Sequence, residues 1–241
     1  MIEVRQLFEH REFEDAVQLQ KLVWGFADIE LIPLRLFVVA NKVGGHSFGA
    51  YDGSRMVGFC LAIPGVKPGG HSYLHSHMLA VLPEYRDRGL GRRMKLAQRE
   101  EALGRGIDLI EWTFDPLEIK NAFLNLERLG AIVRRYVENQ YGITSSPLHG
   151  SLPTDRCVAE WWIGSPRVRA VLAGEPCPRE VRARIPVPAD IESLRTHDPK
   201  CAREIQKSIG DTLQRHFAEG LAVIGFERGE AGGTYLLGPL S

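Results

Sequence analysis

A chain of 241 residues is longer than one small domain needs and shorter than two comfortable ones, which predicts one domain with an appendage. Thirty Lys and Arg cancel thirty Asp and Glu, and this zero formal charge argues against a general binder of nucleic acid or of an anionic membrane, both of which ask for a net basic surface. Hydrophobic residues at 44% and charged residues at 25% match globular averages and argue against a disordered or fibrous chain. Cys60, Cys157, Cys177 and Cys201 form no Cys-x-x-Cys pair, which suits a reducing compartment. The start, Met1-Ile2-Glu3-Val4-Arg5, has no leader pattern, and no apolar run reaches the roughly 20 residues that cross a bilayer, so a cytoplasmic location is expected.

Ile2 to Phe8 alternates as a short strand, and Phe13, Val17, Leu19, Leu22 and Val23 recur at helical spacing up to Trp24-Gly25. A second helix is expected from Pro33 to Lys42, ended by Gly44-Gly45. Ser47 to Tyr51 and Met56 to Ile63 flank Asp52-Gly53, a hairpin signature. Ser72 to Val81 reads as a strand with His75, His77, Leu79 and Val81 on one face and Leu74, Met78 and Ala80 on the other. Gly91 to Leu103 is helical in period, Ile107 to Phe114 is an apolar strand, and Pro116 to Leu129 is a helix with Asp115 as its cap and Gly130 as its stop. Ala131 to Tyr136 and Cys157 to Ile163 are further strands, separated by a loop rich in Ser, Pro and Gly. Hairpins feeding strand–helix–strand units predict a mixed α/β sheet with at least one parallel pair. Beyond Gly164-Ser165-Pro166, Val181 to Val187, a helix capped by Asp198-Pro199, Leu221 to Phe226 and Thr234 to Leu237 make a β-α-β-β extension. The expected division is a core over 1–163 and an extension over 166–241 packed on it.

The chemistry concentrates in Val81-Leu82-Pro83-Glu84-Tyr85-Arg86-Asp87-Arg88-Gly89-Leu90-Gly91-Arg92-Arg93. This segment leaves an apolar strand and enters a helix through two glycines. Backbone N–H groups from Arg88 to Arg92 then point outward at a helix N-terminus, where open donors and the helix dipole both favour an anion such as a pyrophosphate. Gly89 and Gly91 permit close approach, while Arg86, Arg88, Arg92 and Arg93 add positive charge. The chain lacks the Gly-Lys-Ser/Thr of a Walker A loop, and Met94 stands where a dinucleotide fingerprint needs its third glycine. The plain alternative is a glycine turn ringed by solvated arginines.

On these residues the chain resembles the GNAT superfamily of acyl-CoA-dependent N-acyltransferases: Arg86-x-x-Gly89-x-Gly91 matches its pyrophosphate motif, and Val81-Leu82-Pro83 matches the preceding Val-x-Pro. The resemblance covers roughly residues 1–163. It implies a mostly antiparallel sheet with a splayed central parallel pair flanked by helices, and acetyl-CoA or another acyl-CoA as co-substrate. It places the cofactor against Leu79, Ala80, Val81, Arg86, Arg88, Gly89, Leu90, Gly91 and Arg92, with pantetheine amides on Leu79 and Val81 and the thioester oxygen polarised by an N–H near Leu79. The family's acid is a tyrosine four residues before its Gly-Phe; here that position is Leu126. Asn121 and Asn125, one turn apart, are candidates for binding the pantetheine or the thiol, and Tyr136 or Tyr141 for the missing acid.

An amine nucleophile has to lose a proton near neutral pH, which suits histidine. His75, eleven residues before Arg86, is the first candidate base, with His77 as second base or relay and His71 nearby if the strand begins early. The bland reading makes them polar packing on a half-exposed strand. His71, His75 and His77 also read as two-ligand metal chelators, but a closed site needs four ligands, so no metal is expected. Trp161-Trp162 reads as one core and one surface aromatic, and Arg156 in Thr154-Asp155-Arg156 as either a carboxylate fork or a solvated charge. The expected function is acyl transfer to the primary amine of a small molecule, an amino acid included, with a catalytically inactive acyl-CoA-binding or sensing module as the alternative. The extension is expected to close the acceptor pocket or to form a homodimer contact.

Overall fold

Glu9 and Glu12 start the first helix of the computed structural model, which describes residues 2–142 and 152–240. The Glu12 carboxylate accepts the N–H groups of Phe8 at 2.8 Å and Glu9 at 3.0 Å, satisfying donors next to the helix start. Two compact units divide the chain, one up to Glu111 and the other from Trp112 onward. The first contains β1 (Glu3–Gln6), α1 (His10–Trp24), α2 (Leu34–Lys42), β2 (His46–Asp52), β3 (Arg55–Val66), β4 (Ser72–Val81), α3 (Leu90–Gly104) and the start of β5 (Leu109–Phe114). Gly53, with φ +60°, closes the β2–β3 turn as its dipeptide predicts.

Spatial order in this unit is β1-β2-β3-β4-β5, antiparallel at every step except the parallel β4–β5 pair. The result is a mixed α/β, mostly antiparallel sheet with a parallel pair, flanked by helices. Phe59 of β3 packs on Trp24 of α1 and Phe37 of α2, at 6.3 and 5.8 Å between ring centroids. One residue back, a Cβ on Gly58 would meet Met94 of α3 at 3.2 Å. Since successive strand residues point to opposite faces, α1 and α2 cover one face and α3 the other.

The second unit holds the end of β5, α4 (Ile119–Phe123), β6 (Ile132–Val137), β7 (Arg156–Trp162), α5 (Pro166–Ala173), β8 (Ala183–Pro188), α6 (Ile191–His197), α7 (Pro199–Ala218), β9 (Ala222–Gly229) and β10 (Gly232–Gly238). Its strand order runs β7-β6-β9-β10-β8, antiparallel throughout. The sequence boundary expected at 163–166 falls inside this unit: Val223 of the extension pairs with Val133, and Tyr136 of β6 lies against Gly210 of α7, where a Cβ would come within 2.7 Å of its hydroxyl. Asp198 caps α7 by accepting the Cys201 N–H at 3.0 Å, as expected, while α5 and α6 add to the predicted elements. The Ser-, Pro- and Gly-rich loop before β7 lies in large part outside the described residues.

The helix expected over Pro116–Leu129 is shorter and less regular, being α4 followed by a π-helical turn over Leu124–Arg128. Asp115 does not cap it. Asp115 instead accepts the Leu117 N–H at 2.9 Å and the Arg195 guanidinium at 2.8 Å, and the Pro116 carbonyl is taken by the Tyr235 hydroxyl at 2.6 Å. Tertiary partners from the extension thus outbid the local helix pattern. Arg195, with a side chain only 6% exposed, also bonds Glu118 at 2.7 Å, so one buried cation bridges two carboxylates. Replacing one partner of a buried ion group leaves the others uncompensated, so Arg195→Met is expected to lower the unfolding free energy by about 3 kcal/mol in urea titrations. A loss under about 1 kcal/mol would show that the network contributes little.

Candidate active site

Strand β4 departs from simple alternation in its middle. Its register with β3 runs Ile63 to His75, Ala62 to Ser76, then Leu61 to Met78, leaving His77 as an extra residue in a bulge. Directly opposed residues share a face. Ala80 therefore lies with Phe59 on the side of α1 and α2, together with Met78 and His75, whereas Val81, opposite Gly58, and Leu79, opposite Cys60, share the α3 side with Ser76. This corrects the expected pattern, in which His75 and Leu79 shared a face: one inserted residue reverses the phase. His75 and His77 remain neighbours, with ring centroids 5.8 Å apart.

Among the described residues β4 and β5 share two register pairs, Leu74 with Ile110 and His75 with Glu111, although β4 runs on to Val81. The edge from Ser76 to Val81 is consequently outside that ladder. The expected role of Val81 meets a competitor, because the Arg86 Nε donates to the Val81 carbonyl at 3.3 Å.

The strand leads into the glycine turn. Asp87 and Gly89 are left-handed, with φ +59° and +73°, and Gly89 stands immediately before α3. Arg93 N–H closes the first helical bond on the Gly89 carbonyl at 3.0 Å. The N–H groups of Gly89, Leu90 and Gly91 find no backbone acceptor among the described residues, and a Cβ on Gly89 would meet nothing within 4 Å. Donors at a helix head, open space above them and a left-handed glycine suit a pyrophosphate. Arg86 and Arg88 are exposed and Arg92 half-buried beside them. Arg88 stacks on Tyr85 at 5.0 Å. Arg93, expected in the ring of positive charge, instead donates to the Ile2 carbonyl at 2.7 Å and braces β1.

Where the β4–β5 pairing ends, charged groups gather that the sequence reading did not single out. Glu111, directly across from His75, has a side chain 5% exposed, and Lys67 donates to both its carboxylate oxygens at 2.7 and 2.6 Å. Lys67 also lies over the Tyr73 ring at 4.6 Å. The available signal was a lone glutamate inside the apolar strand Leu109-Ile110-Glu111-Trp112, a residue type that is seldom buried without a partner. Burial, then the charges of His77 and Lys95, pushes His75 down to about 4 against a smaller opposing pull from Glu111. Burial lowers His77 as well. Both imidazoles are neutral at physiological pH, available as acceptors but weak as bases. His71 stands apart, paired with Asp108 at 3.0 Å.

The remaining candidates lie in the second unit. Asn125 is buried at the π-helical turn and its backbone carbonyl accepts the Ala131 N–H at 2.9 Å, while Asn121 is exposed. Leu126 is fully buried. Tyr136 donates to Asp155 at 2.7 Å, and burial plus that bond push its hydroxyl up, which leaves it a poor acid. Tyr141 bonds Thr113 at 2.9 Å. Arg156 is neither an open fork nor a solvated charge: it is buried, bonds the Asp155 carbonyl at 2.9 Å and stacks on Tyr141 at 5.6 Å. Trp161 is buried and Trp162 half-buried, the core-and-surface pair expected. No group of three or more His, Cys, Asp or Glu is arranged to hold a metal among the described residues. No helix among them is long and apolar enough to cross a membrane.

Comparison with known proteins agrees with this geometry. The profile of the acetyltransferase (GNAT) family matches residues 8–129, just over half of the chain. Among solved structures, the ribosomal-protein-S18-alanine N-acetyltransferase from Escherichia coli superposes with a TM-score of 0.53 at 19% identity, covering 68% of this chain and 96% of its own. Arabidopsis thaliana NAA60 in complex with a bisubstrate analogue gives 0.55 at 15% identity, covering 67% and 98%. Arabidopsis thaliana Naa50 in complex with the bisubstrate analogue CoA-Ac-MVNAL gives 0.51 at 15% identity, covering 66% and 97%. These likenesses speak to the fold, and no curated protein sequence matches. A left-handed glycine turn at the head of α3, following a strand that parts from its parallel neighbour after two residues, together with the profile over 8–129, makes the chain a member of the GNAT acetyltransferase family.

Proposed function

We propose that the protein transfers an acyl group, acetyl or succinyl, from acyl-CoA to the primary amine of a small molecule by direct attack on the thioester. The observation that carries this reading is the pairing of the helix-head turn at Gly89 with the edge of β4 from Ser76 to Val81 that leaves the β5 ladder. The turn would hold the pyrophosphate on the N–H groups of Gly89, Leu90 and Gly91, with Arg86, Arg88 and Arg92 adding charge. Backbone groups of Leu79 and Ala80 on the open edge would align the pantetheine arm and polarise the thioester carbonyl.

The amine nitrogen forms a bond to the carbonyl carbon, the carbon–sulfur bond breaks, and the sulfur leaves as thiolate. A thiolate with a pKa near 8.5 is a workable leaving group without an acid, which accommodates Leu126 and an engaged Tyr136. The proton shed by the amine passes to neutral His75, then toward Glu111 across the strand or to water; His77 extends the relay. Because His75 holds a proton weakly, the acceptor has to arrive largely uncharged. Buried Arg156 offers no fork to an amino-acid carboxylate, so the small-molecule acceptor is an amine without a required carboxylate. Zero formal charge favours a small molecule over a lysine-rich tail, which seeks an acidic surface. The absence of an acid at Leu126 is the one feature that favours a binding or sensing module, and release of free thiol in the presence of a panel of amines separates the two.

Two measurements test the reading. Gly89→Glu puts a side chain into a left-handed position and a carboxylate into the anion site, and calorimetry should show CoA binding weakened by at least about 100-fold, or ~2.7 kcal/mol; unchanged affinity would overturn the cofactor's placement. His75 is depressed below its ordinary value, so it is neutral above about pH 4 and gains its proton only below that. The pH profile of kcat/KM should therefore rise with the acceptor amine's own deprotonation and show no step near 6.5, and His75→Ala should lower kcat by roughly 10²-fold or more. A step near 6.5, or a loss under about threefold, would retire His75 as the proton acceptor.

A further inference from the structure

Behind the bulge of β4 lies a buried polar group that the transfer reaction described above does not use. Lys95, on the second turn of α3, is 3% exposed, and its ammonium nitrogen donates to the Ser76 hydroxyl at 2.7 Å. That hydroxyl donates in turn to the Gln98 side-chain oxygen at 2.9 Å, with Gln98 fully buried on the same helix. Ser76 is the last β4 residue in register before the extra residue His77. The Cys60 thiol, opposite Leu79 on the far side of the bulge, interacts electrostatically with Lys95. Lys95 therefore faces residues on both sides of the point where β4 changes phase, and it belongs to the same helix whose head forms the glycine turn, one residue after Met94 and four after Gly91.

A buried lysine is costly, and an apolar residue of similar length is commonly as stable or more so at such a place. Stability alone does not account for it. A hydrogen-bond donor fixed between helix and strand does, however, set a distance: α3 carries the anion grip and β4 carries the backbone that would meet the thioester. We propose that Lys95 is a positioning residue, pinning β4 through Ser76 to α3 so that the thioester carbonyl falls on the backbone donors past the His77 bulge when the pyrophosphate sits at Gly89. This inference rests on the acyl-CoA reading of the site. Met94 and Leu90 supply the apolar packing of α3, so the helix stays docked without the lysine while the strand loses its fixed offset.

Isotope-edited infrared spectroscopy of acetyl-CoA labelled at the thioester carbonyl reports polarisation by the strand and needs no acceptor. In the native protein the carbonyl band should move to lower wavenumber on binding, and Lys95→Met should lose at least about half of that shift while calorimetric affinity stays within about threefold, because the donors at the helix head are untouched. Ser76→Ala should give the same loss, and the double variant no more than either alone, since both act through one bond. Should Lys95→Met fail to fold, Ser76→Ala carries the test by itself. A full shift in the variants, or a loss of shift that tracks a loss of affinity, would overturn the positioning role. Absence of binding by the native protein would overturn the site reading with it.

A second readout follows the lysine directly. Burial pushes Lys95 down to about 7, against a smaller opposite pull from the Cys60 thiol. Among the described residues the titratable groups that interact with it electrostatically include Cys60 of β3, on the same face of the sheet, and His75 of β4, on the opposite face. Unfolded, the lysine keeps its proton to about 10.5, so between these two values the unfolded chain binds more protons and native stability rises with pH. The difference in unfolding free energy between native protein and Lys95→Met should grow in favour of the native protein from pH 7 to 10; a flat difference would show that the lysine is not held as described.

Discussion

Among the described residues strand β4 stays in register with β5 for two residues and then runs on to Val81 paired with β3 only. Backbone donors and acceptors in a sheet normally satisfy one another, and an edge that leaves its ladder has to be matched by something else. In this unit the matching is partial by design: Arg86 takes the Val81 carbonyl, and the bulge at His77 turns the rest of the strand so that Leu79 and Val81 face α3 rather than the histidines. An extended ligand with its own amides is the natural complement to such an edge. The glycine turn that follows supplies the opposite chemistry, unpaired N–H donors for an anion, within ten residues of chain. Strand edge and helix head together would suit the proposed ligand, amide-bearing along its length and anionic at one end.

The two faces of β4 have different electrostatic characters. On the α1 and α2 side, His75 shares the strand face of Phe59, whose ring packs on Phe37, and burial lowers both His75 and His77. On the α3 side, Lys95, Ser76 and Gln98 form a polar chain inside a hydrophobic layer. The Glu111 carboxylate, held by Lys67, closes the end of the strand pair and places a negative charge opposite His75. Burial, with the charges of His77 and Lys95, outweighs that carboxylate and keeps the His75 imidazole from taking up a proton.

In the second unit, the extension is part of the fold rather than an attachment to it. Arg195 joins Asp115 and Glu118, Arg179 joins Glu127 at 2.6 Å, and Tyr235 holds the Pro116 carbonyl. Each of these contacts bends or fixes the segment from Asp115 to Arg128, and together they explain why a helix pattern of Pro116 to Leu129 becomes a short helix and a π-helical turn. Local capping chemistry was legible there; the competing partners, more than fifty residues away in sequence, were not.

Periodicity alone determined most of the elements: the Asp52-Gly53 hairpin, the strand over Ser72–Val81, the helix after Gly91 and the amphipathic helix after Asp198 all follow from local rules that act within a few residues. The glycine turn was likewise legible, because a left-handed φ at Gly89 and open donors at a helix head need no distant partner. Tertiary structure decided what depends on register and burial. A single inserted residue at His77 reversed the faces of Leu79 and Val81, a change invisible to alternation; pairing with a parallel strand brought Glu111 opposite His75; and packing turned Arg156 from a candidate ligand into a buried brace. Local sequence fixes the conformation a segment prefers, whereas the charge a group carries and the partner it meets depend on solvent exclusion and on contacts between segments far apart in the chain.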